Sequence, residues 1–170
     1  MKLPPAFINK TNNINVIIET PKGGANKYSY DEKTGLFKLQ KILGEGLVFP
    51  HHFGFIPQTK GDDGDPLDVL VLMDEPTYPG NLIECKALGV IEAEQTEKDG
   101  KKIRNDRILC TALESRRFST IFSIEQLDKF LIEEITKFLI TYNAMDNKKF
   151  DPISFEGPSK AIKLIQKQQV

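Results

Sequence analysis

The segment Leu67-Asp68-Val69-Leu70-Val71-Leu72-Met73 is a nearly continuous apolar run. It is strand-length and apolar at both alternating sets of positions, so it needs cover on two faces. Directly before it stands Gly61-Asp62-Asp63-Gly64-Asp65-Pro66, which with Asp68 sets four carboxylates within seven positions. Like charges that close raise one another's pKa unless a cation neutralises them. Asp68, inside the apolar run, is expensive to bury unpaired. Gly64 allows a sharp turn and Pro66 stiffens the loop. The pattern is that of an oxygen cage for a hard divalent cation, with Mg²⁺ the expected occupant and Mn²⁺ a substitute. An EF-hand does not fit, because Pro66 and Leu67 fall where its ligands or turn belong. The chain has neither a G-x-x-x-x-G-K phosphate loop nor a G-x-S-x-G nucleophile motif.

The rest of the chain supplies the cover. Ile14, Val16 and Ile18 predict a strand, broken by Pro21-Lys22-Gly23-Gly24. Lys27–Tyr30 and Leu36–Leu39 flank a turn at 31–35, and further strands are predicted over 82–94 and 107–113, joined through Asp99-Gly100. The period then changes. Ile124, Leu127, Leu131, Ile135, Phe138 and Tyr142 are spaced three, four, four, three and four apart, the stripe of an amphipathic helix. Ser123 is its expected N-cap, with Gln126 completing a capping box. Ser159 is the expected cap of a second helix through about Gln168. Strands first and helices later predict an α+β fold, a small barrel or curled sheet carrying two helices, in one domain over 1–170.

Composition narrows the partners. Lys plus Arg is 23 and Asp plus Glu is 24, which argues against wrapping nucleic acid by bulk charge. No apolar run approaches a membrane span, and the first residues carry no signal-peptide core. Cys85 and Cys110 are expected to be reduced core thiols of a cytoplasmic protein. An acidic cage needs a partner of opposite character. Lys27, Lys41, Arg104 and Arg107 are candidates to hold phosphate oxygens against bound metal.

The run Asp63-Gly64-Asp65-Pro66-Leu67-Asp68-Val69 resembles the signature D-[SGDN]-D-[PE]-[LIVMF]-D-[LIVMGAC] of family I soluble inorganic pyrophosphatases. Val16-Ile17-Ile18-Glu19 with Lys27-Tyr28 is similar to that family's first strand and hairpin. Phe49-Pro50-His51-His52-Phe53-Gly54-Phe55-Ile56-Pro57 is similar to its Y-P-x-N-Y-G-[FY]-I-P segment. The resemblance runs from about Asn15 to Tyr142. It implies an OB-like five-stranded β-barrel with two C-terminal helices packed outside, and a homo-oligomer. It also implies Mg²⁺-dependent hydrolysis of pyrophosphate to two phosphates by a metal-activated water. Carried over residue by residue, it makes Asp65 the water-activating carboxylate. It makes Asp63, Asp65 and Asp68 metal ligands, with Asp106 a fourth if the alignment slips by one. Glu19, Lys27, Lys41, Arg107 and Tyr142 become the substrate-binding set.

The departures are concentrated outside the acidic loop. Ser29 stands for a Glu, Lys41 for an Arg, Phe49 and Phe53 for two Tyr, and Asn143 for a Lys. Gln95 and Asn105 stand where acids are expected, in a hairpin about three residues longer than usual. Three readings stay open on these residues alone: a divergent pyrophosphatase, a phosphohydrolase shifted to another polyphosphate compound, and a non-catalytic descendant that binds pyrophosphate or a nucleotide.

Overall fold

A computed structural model describes residues 3–170. Its elements run β1 (Asn13–Thr20), β2 (Asn26–Asp31), β3 (Leu36–Ile42), β4 (His52–Phe55), β5 (Asp68–Leu72), β6 (Leu82–Thr96), β7 (Lys102–Arg104), β8 (Arg107–Ala112), α1 (Lys129–Ala144), β9 (Lys149–Glu156) and α2 (Pro158–Lys167). The pairings β1–β4, β4–β5, β5–β8, β8–β6 and β6–β1 close a ring of five strands. Only β5–β8 is parallel. This is the expected five-stranded barrel with two C-terminal helices.

The apolar run of β5 is buried on both faces, as its sequence requires. Val69 and Val71 join Ile14, Val16, Ile18, Ile108 and Cys110 in one cluster. β1 does not neighbour β5 or β8 in the ring, so side chains that meet across it lie inside the barrel. Ala161 and Ile165 of α2 pack into that same cluster. Leu70, Leu72 and Leu109 face outward and are covered by Ile135, Phe138 and Leu139 of α1. Cys85 and Cys110 are buried and free, the core thiols expected.

β6 is the spine of the molecule. Its first half pairs with β1 and β8, and its second half runs on to pair with β7 and β9. The overhanging half carries Gln95 toward the barrel mouth. β2 and β3 form a separate hairpin over that mouth, anchored where Tyr30 stacks on Phe55 with ring centroids 5.7 Å apart. Gly54 on β4 is required by close approach. A Cβ there would lie 2.2 Å from the Ile17 carbonyl oxygen, beside the bulge in β1.

Two helix starts differ from expectation. Ser123 and Gln126 flank a 3₁₀ turn, Ile124–Gln126, in which the Gln126 side chain accepts from the Ser123 N–H at 3.1 Å. The chain then extends at Leu127 and Asp128, and the Asp128 carboxylate caps α1 by accepting from the Phe130 N–H at 2.7 Å. The capping box therefore closes the turn and not the helix. α2 starts one residue before Ser159, with Gly157 as cap and Pro158 at the first helical position, where its missing N–H costs nothing. β9 was not expected. Pro152 hides it in the sequence, and the strand tolerates that proline at a register shift against Glu92 and Ala93.

Candidate active site

A cavity of about 860 Å³ opens between the acidic loop, the β2–β3 hairpin, the overhang of β6 and the end of α1. It gathers Glu19, Lys27, Lys41, Asp63, Asp65, Asp68, Arg107 and Tyr142. Of the expected site residues, Arg104 and Asp106 do not line it.

The acidic loop forms one wall. Gly64, at φ +92°, lets it fold back. Asp63 then accepts from the Asp65 N–H at 3.1 Å, and the Asp65 carbonyl accepts from the Gly61 N–H at 2.7 Å. With its backbone pinned, the Asp65 carboxylate is exposed to the cavity and holds no ion pair among the described residues. Burial pushes the Asp63 carboxyl above the usual range, and the charges of Asp68 and Asp65 add to that. The Asp65 N–H and Arg107 offset part of it. The carboxylates line a wall and do not converge. Among the described residues no three Asp, Glu, His or Cys side chains form a ready-made cation cage.

Cations line the same cavity. Lys27 on β2 is 5 % exposed and sits 2.8 Å from the Glu19 carboxylate, with its ammonium over the Phe53 ring. The other Glu19 oxygen accepts from the Tyr30 N–H at 2.7 Å. Glu19 therefore fixes both the ammonium and the hairpin that carries it. Arg107, at the start of β8, is 4 % exposed and lies 2.8 Å from Asp68. It also donates to the Asn105 side chain, while its Nε is a buried nitrogen without a partner among the described residues. Lys41 on β3 pairs with Asp146 and lies 3.9 Å above the Tyr142 ring. Burial, with the Asp68 charge, raises the Tyr142 phenol above its ordinary pKa, so it stays a donor.

The hairpin alignment left open in the sequence has a definite geometry. Asn105 faces the cavity and donates to Gln95 at 2.9 Å. Asp106 turns to the other side of β6, where one oxygen accepts from the Ala93 N–H at 2.9 Å and from Arg104 at 2.8 Å. Arg104, Asp106, Glu92 and Lys160 border a second cavity of about 540 Å³ behind the acidic loop. Arg104 thus adds no charge to the Lys27–Arg107 cavity, and Asp106 contributes no oxygen to it.

The altered positions are accommodated without their family hydroxyls and charges. Phe49 is fully buried among Phe53, Phe138 and Tyr142. Asn143 turns back on α1 and donates to the Leu139 carbonyl at 2.8 Å. Ser29 lines the cavity. Four lining residues had no signal in the sequence beyond charge: Glu32, Glu97, Asp146 and Lys148. Glu97 holds Lys148 at 2.9 Å and accepts from Gln95.

The sequence model of a family described as "Inorganic pyrophosphatase" matches residues 16–170. An inorganic pyrophosphatase of Synechocystis is 35 % identical over 153 residues, covering 90 % of this chain and 88 % of the relative. That of Geobacillus stearothermophilus is 35 % identical over 161 residues, covering 94 % and 93 %. The crystal structure of inorganic pyrophosphatase from Thermus thermophilus superposes with a TM-score of 0.87 at 29 % identity, over 97 % of this chain and 93 % of that one.

Proposed function

The chain belongs to the inorganic pyrophosphatase family, and from that premise we propose that it hydrolyses inorganic pyrophosphate to two phosphates in the cavity beneath the β2–β3 hairpin, with Mg²⁺ as its metal. The observation that carries this reading is charge of both signs gathered around one cavity. Three carboxylates, Asp63, Asp65 and Asp68, line it together with Lys27, Lys41, Arg107 and Tyr142, and Arg107 pairs with Asp68 at 2.8 Å.

The donors suit a hard divalent ion. They are carboxylate oxygens, and a cation would offset both the desolvation that raises the Asp63 carboxyl and the smaller push from the Asp68 and Asp65 charges. Asp63, Asp65 and Asp68 would hold the metal, and bound Mg²⁺ would lower the pKa of water and stabilise charge on the leaving phosphate. Mn²⁺ would substitute. The protein's own residues do the rest. Asp65, without a cation of its own, accepts the proton of the attacking water. The new P–O bond forms as the bridging P–O bond breaks, and the electron pair leaves with the second phosphate. Lys27 and Arg107 hold the non-bridging oxygens. Glu19 keeps the Lys27 ammonium aimed. Tyr142 donates to a phosphate oxygen, and Lys41 adds charge from the hairpin. Asp106 is given no metal role in this reading, because it is committed to Arg104 and Ala93.

The same reading takes residues 1–170 as one catalytic domain, working as a cytoplasmic homo-oligomer with no nucleic-acid or membrane partner. Among the described residues no helix is long and apolar enough to cross a membrane. The test is phosphate release from pyrophosphate, tripolyphosphate and nucleoside diphosphates at millimolar Mg²⁺. Pyrophosphate should be the best substrate. Faster turnover of another anhydride, or ligand-induced stabilisation without turnover, would overturn the proposal.

A further inference from the structure

The cavity wall formed by α1 is short of a cation. Tyr142 on its last turn faces the cavity, but the next side chain, Asn143, is 4 % exposed and spends its amide N–H on the Leu139 carbonyl. An ammonium arrives from farther along the chain. After α1 ends, Asn147 adopts φ +56°, and the Lys148 N–H donates to the Asn143 carbonyl at 3.1 Å. That turn brings the Lys148 side chain back to the cavity, where it lines the same wall as Tyr142 and Lys41. Its Nζ lies 2.9 Å from Glu97, with the side chain 31 % exposed. Glu97 stands just past β6, at the base of the lengthened turn 97–101, and is braced by Gln95.

We infer that Lys148 is a phosphate-binding residue of this site, and that Glu97 is the positioning residue that aims it. The inference rests on the pyrophosphatase reading and adds to it. A lysine beyond the helix supplies the charge that Asn143 does not, and the long hairpin provides the carboxylate that tethers it. An ammonium on a flexible stem, held by one carboxylate and open to solvent on one side, is free to exchange that carboxylate for a phosphate oxygen. The lysine next to it behaves differently. Lys149 points away, is 74 % exposed and pairs with Asp151.

The test compares Lys148→Gln, Lys148→Arg, Glu97→Gln and Lys149→Gln. Two readouts are used: steady-state pyrophosphate hydrolysis, and calorimetric binding of inorganic phosphate at millimolar Mg²⁺. Lys148→Gln is expected to raise KM and weaken phosphate binding by roughly tenfold, the size of one charge-assisted contact, with a smaller change in kcat. Lys148→Arg should stay close to wild type. Glu97→Gln should move KM in the same direction by less. Lys149→Gln, which makes the same change in net charge, should move neither readout. The proposal falls if Lys148→Gln matches wild type in both readouts, or if Lys149→Gln loses as much. If wild-type protein releases no phosphate from pyrophosphate, the hydrolytic reading fails alone, and the calorimetric comparison still decides Lys148.

Discussion

Replacing Arg107 with Gln removes the charge that balances Asp68 and keeps a hydrogen-bonding side chain. Breaking a buried ion pair by deleting one partner costs about 3–5 kcal/mol. Here the Arg107 side chain is 4 % exposed but Asp68 is 25 % exposed, so water recovers part of the stranded carboxylate's solvation. That brings the loss down to about 2 kcal/mol, and the broken bond to Asn105 adds about 1–2 kcal/mol for a charged donor. Against this, Arg107 Nε is a buried donor without a partner among the described residues, and removing it returns about 1 kcal/mol. The net is a destabilisation of about 2–3 kcal/mol, which in a domain of this size lowers the metal-free melting temperature by roughly 4–12 °C. Mg²⁺ should then do more for the variant than for wild type. Without the guanidinium the acidic wall is more negative, so the ion binds the folded state more tightly and stabilises it further. The assay is thermal melting of both proteins with chelator and with millimolar Mg²⁺. A variant that melts with wild type in chelator, or that gains no more from Mg²⁺ than wild type does, would refute the idea that Arg107 neutralises the metal wall.

Asp65→Asn keeps the shape and removes the free carboxylate, so phosphate release should fall by roughly 10²–10⁴-fold with an unchanged melting temperature. Retained activity in a folded protein would disprove its role. Burial, aided by the Lys22 and His52 charges, lowers the His51 pKa to about 4. Its neutral form is thus favoured on folding, and the stability this brings is complete above about pH 6.5 and is lost as pH falls toward 4. The loss is on the order of 2 kcal/mol by pH 5. Urea melts at pH 7.5 and 5 should show it, and His51→Gln should flatten it. Restoring family chemistry with Lys41→Arg should raise pyrophosphate turnover several-fold, roughly the worth of a bidentate contact over a point charge. An unimproved variant would show that Lys41 does not limit the rate.

The elements legible in the sequence were those whose signal is contiguous. The β5 run, the acidic loop and the Lys98–Lys101 turn each state their constraint within a few residues. The failures come from pairing information that lies elsewhere. β9 reads as a loop because Pro152 interrupts the alternation and shifts its phase between Phe150 and Ile153. It is a strand because the overhanging half of β6 offers it an edge. The start of α1 was misplaced because Ser123-x-x-Gln126 is a valid capping pattern whose helix is interrupted at Leu127. Leu127 extends to bury its side chain under α1. A tertiary demand for cover overrode a local signal.

The site was legible to the same degree and for the same reason. Residues fixed by the contiguous loop, or by adjacent strand positions, fall around one cavity. Asn105 and Asp106 could not be separated from sequence, since a one-residue slip in a strand pair exchanges its faces. The tie is broken by hydrogen bonds. The Asn105 N–H donates to the Ala93 carbonyl and the Asp106 carboxylate accepts from the Ala93 N–H, so the pair brackets one residue of β6 and sends the amide inward. That choice sets the electrostatics of the whole cavity. With Gln95 and Asn105 both neutral, the wall of β6 and β8 carries one charge, Arg107, and it is positive. Asp68 leans on it, so of the three carboxylates Asp63, Asp65 and Asp68 it alone holds an ion pair among the described residues. The substitutions in the hairpin are therefore not independent losses. Two amides can stand side by side near Glu97 and Arg107 where two carboxylates would repel. They join Lys148 and Glu97 at the rim to Arg107 and Asp68 at the loop through a continuous line of hydrogen bonds.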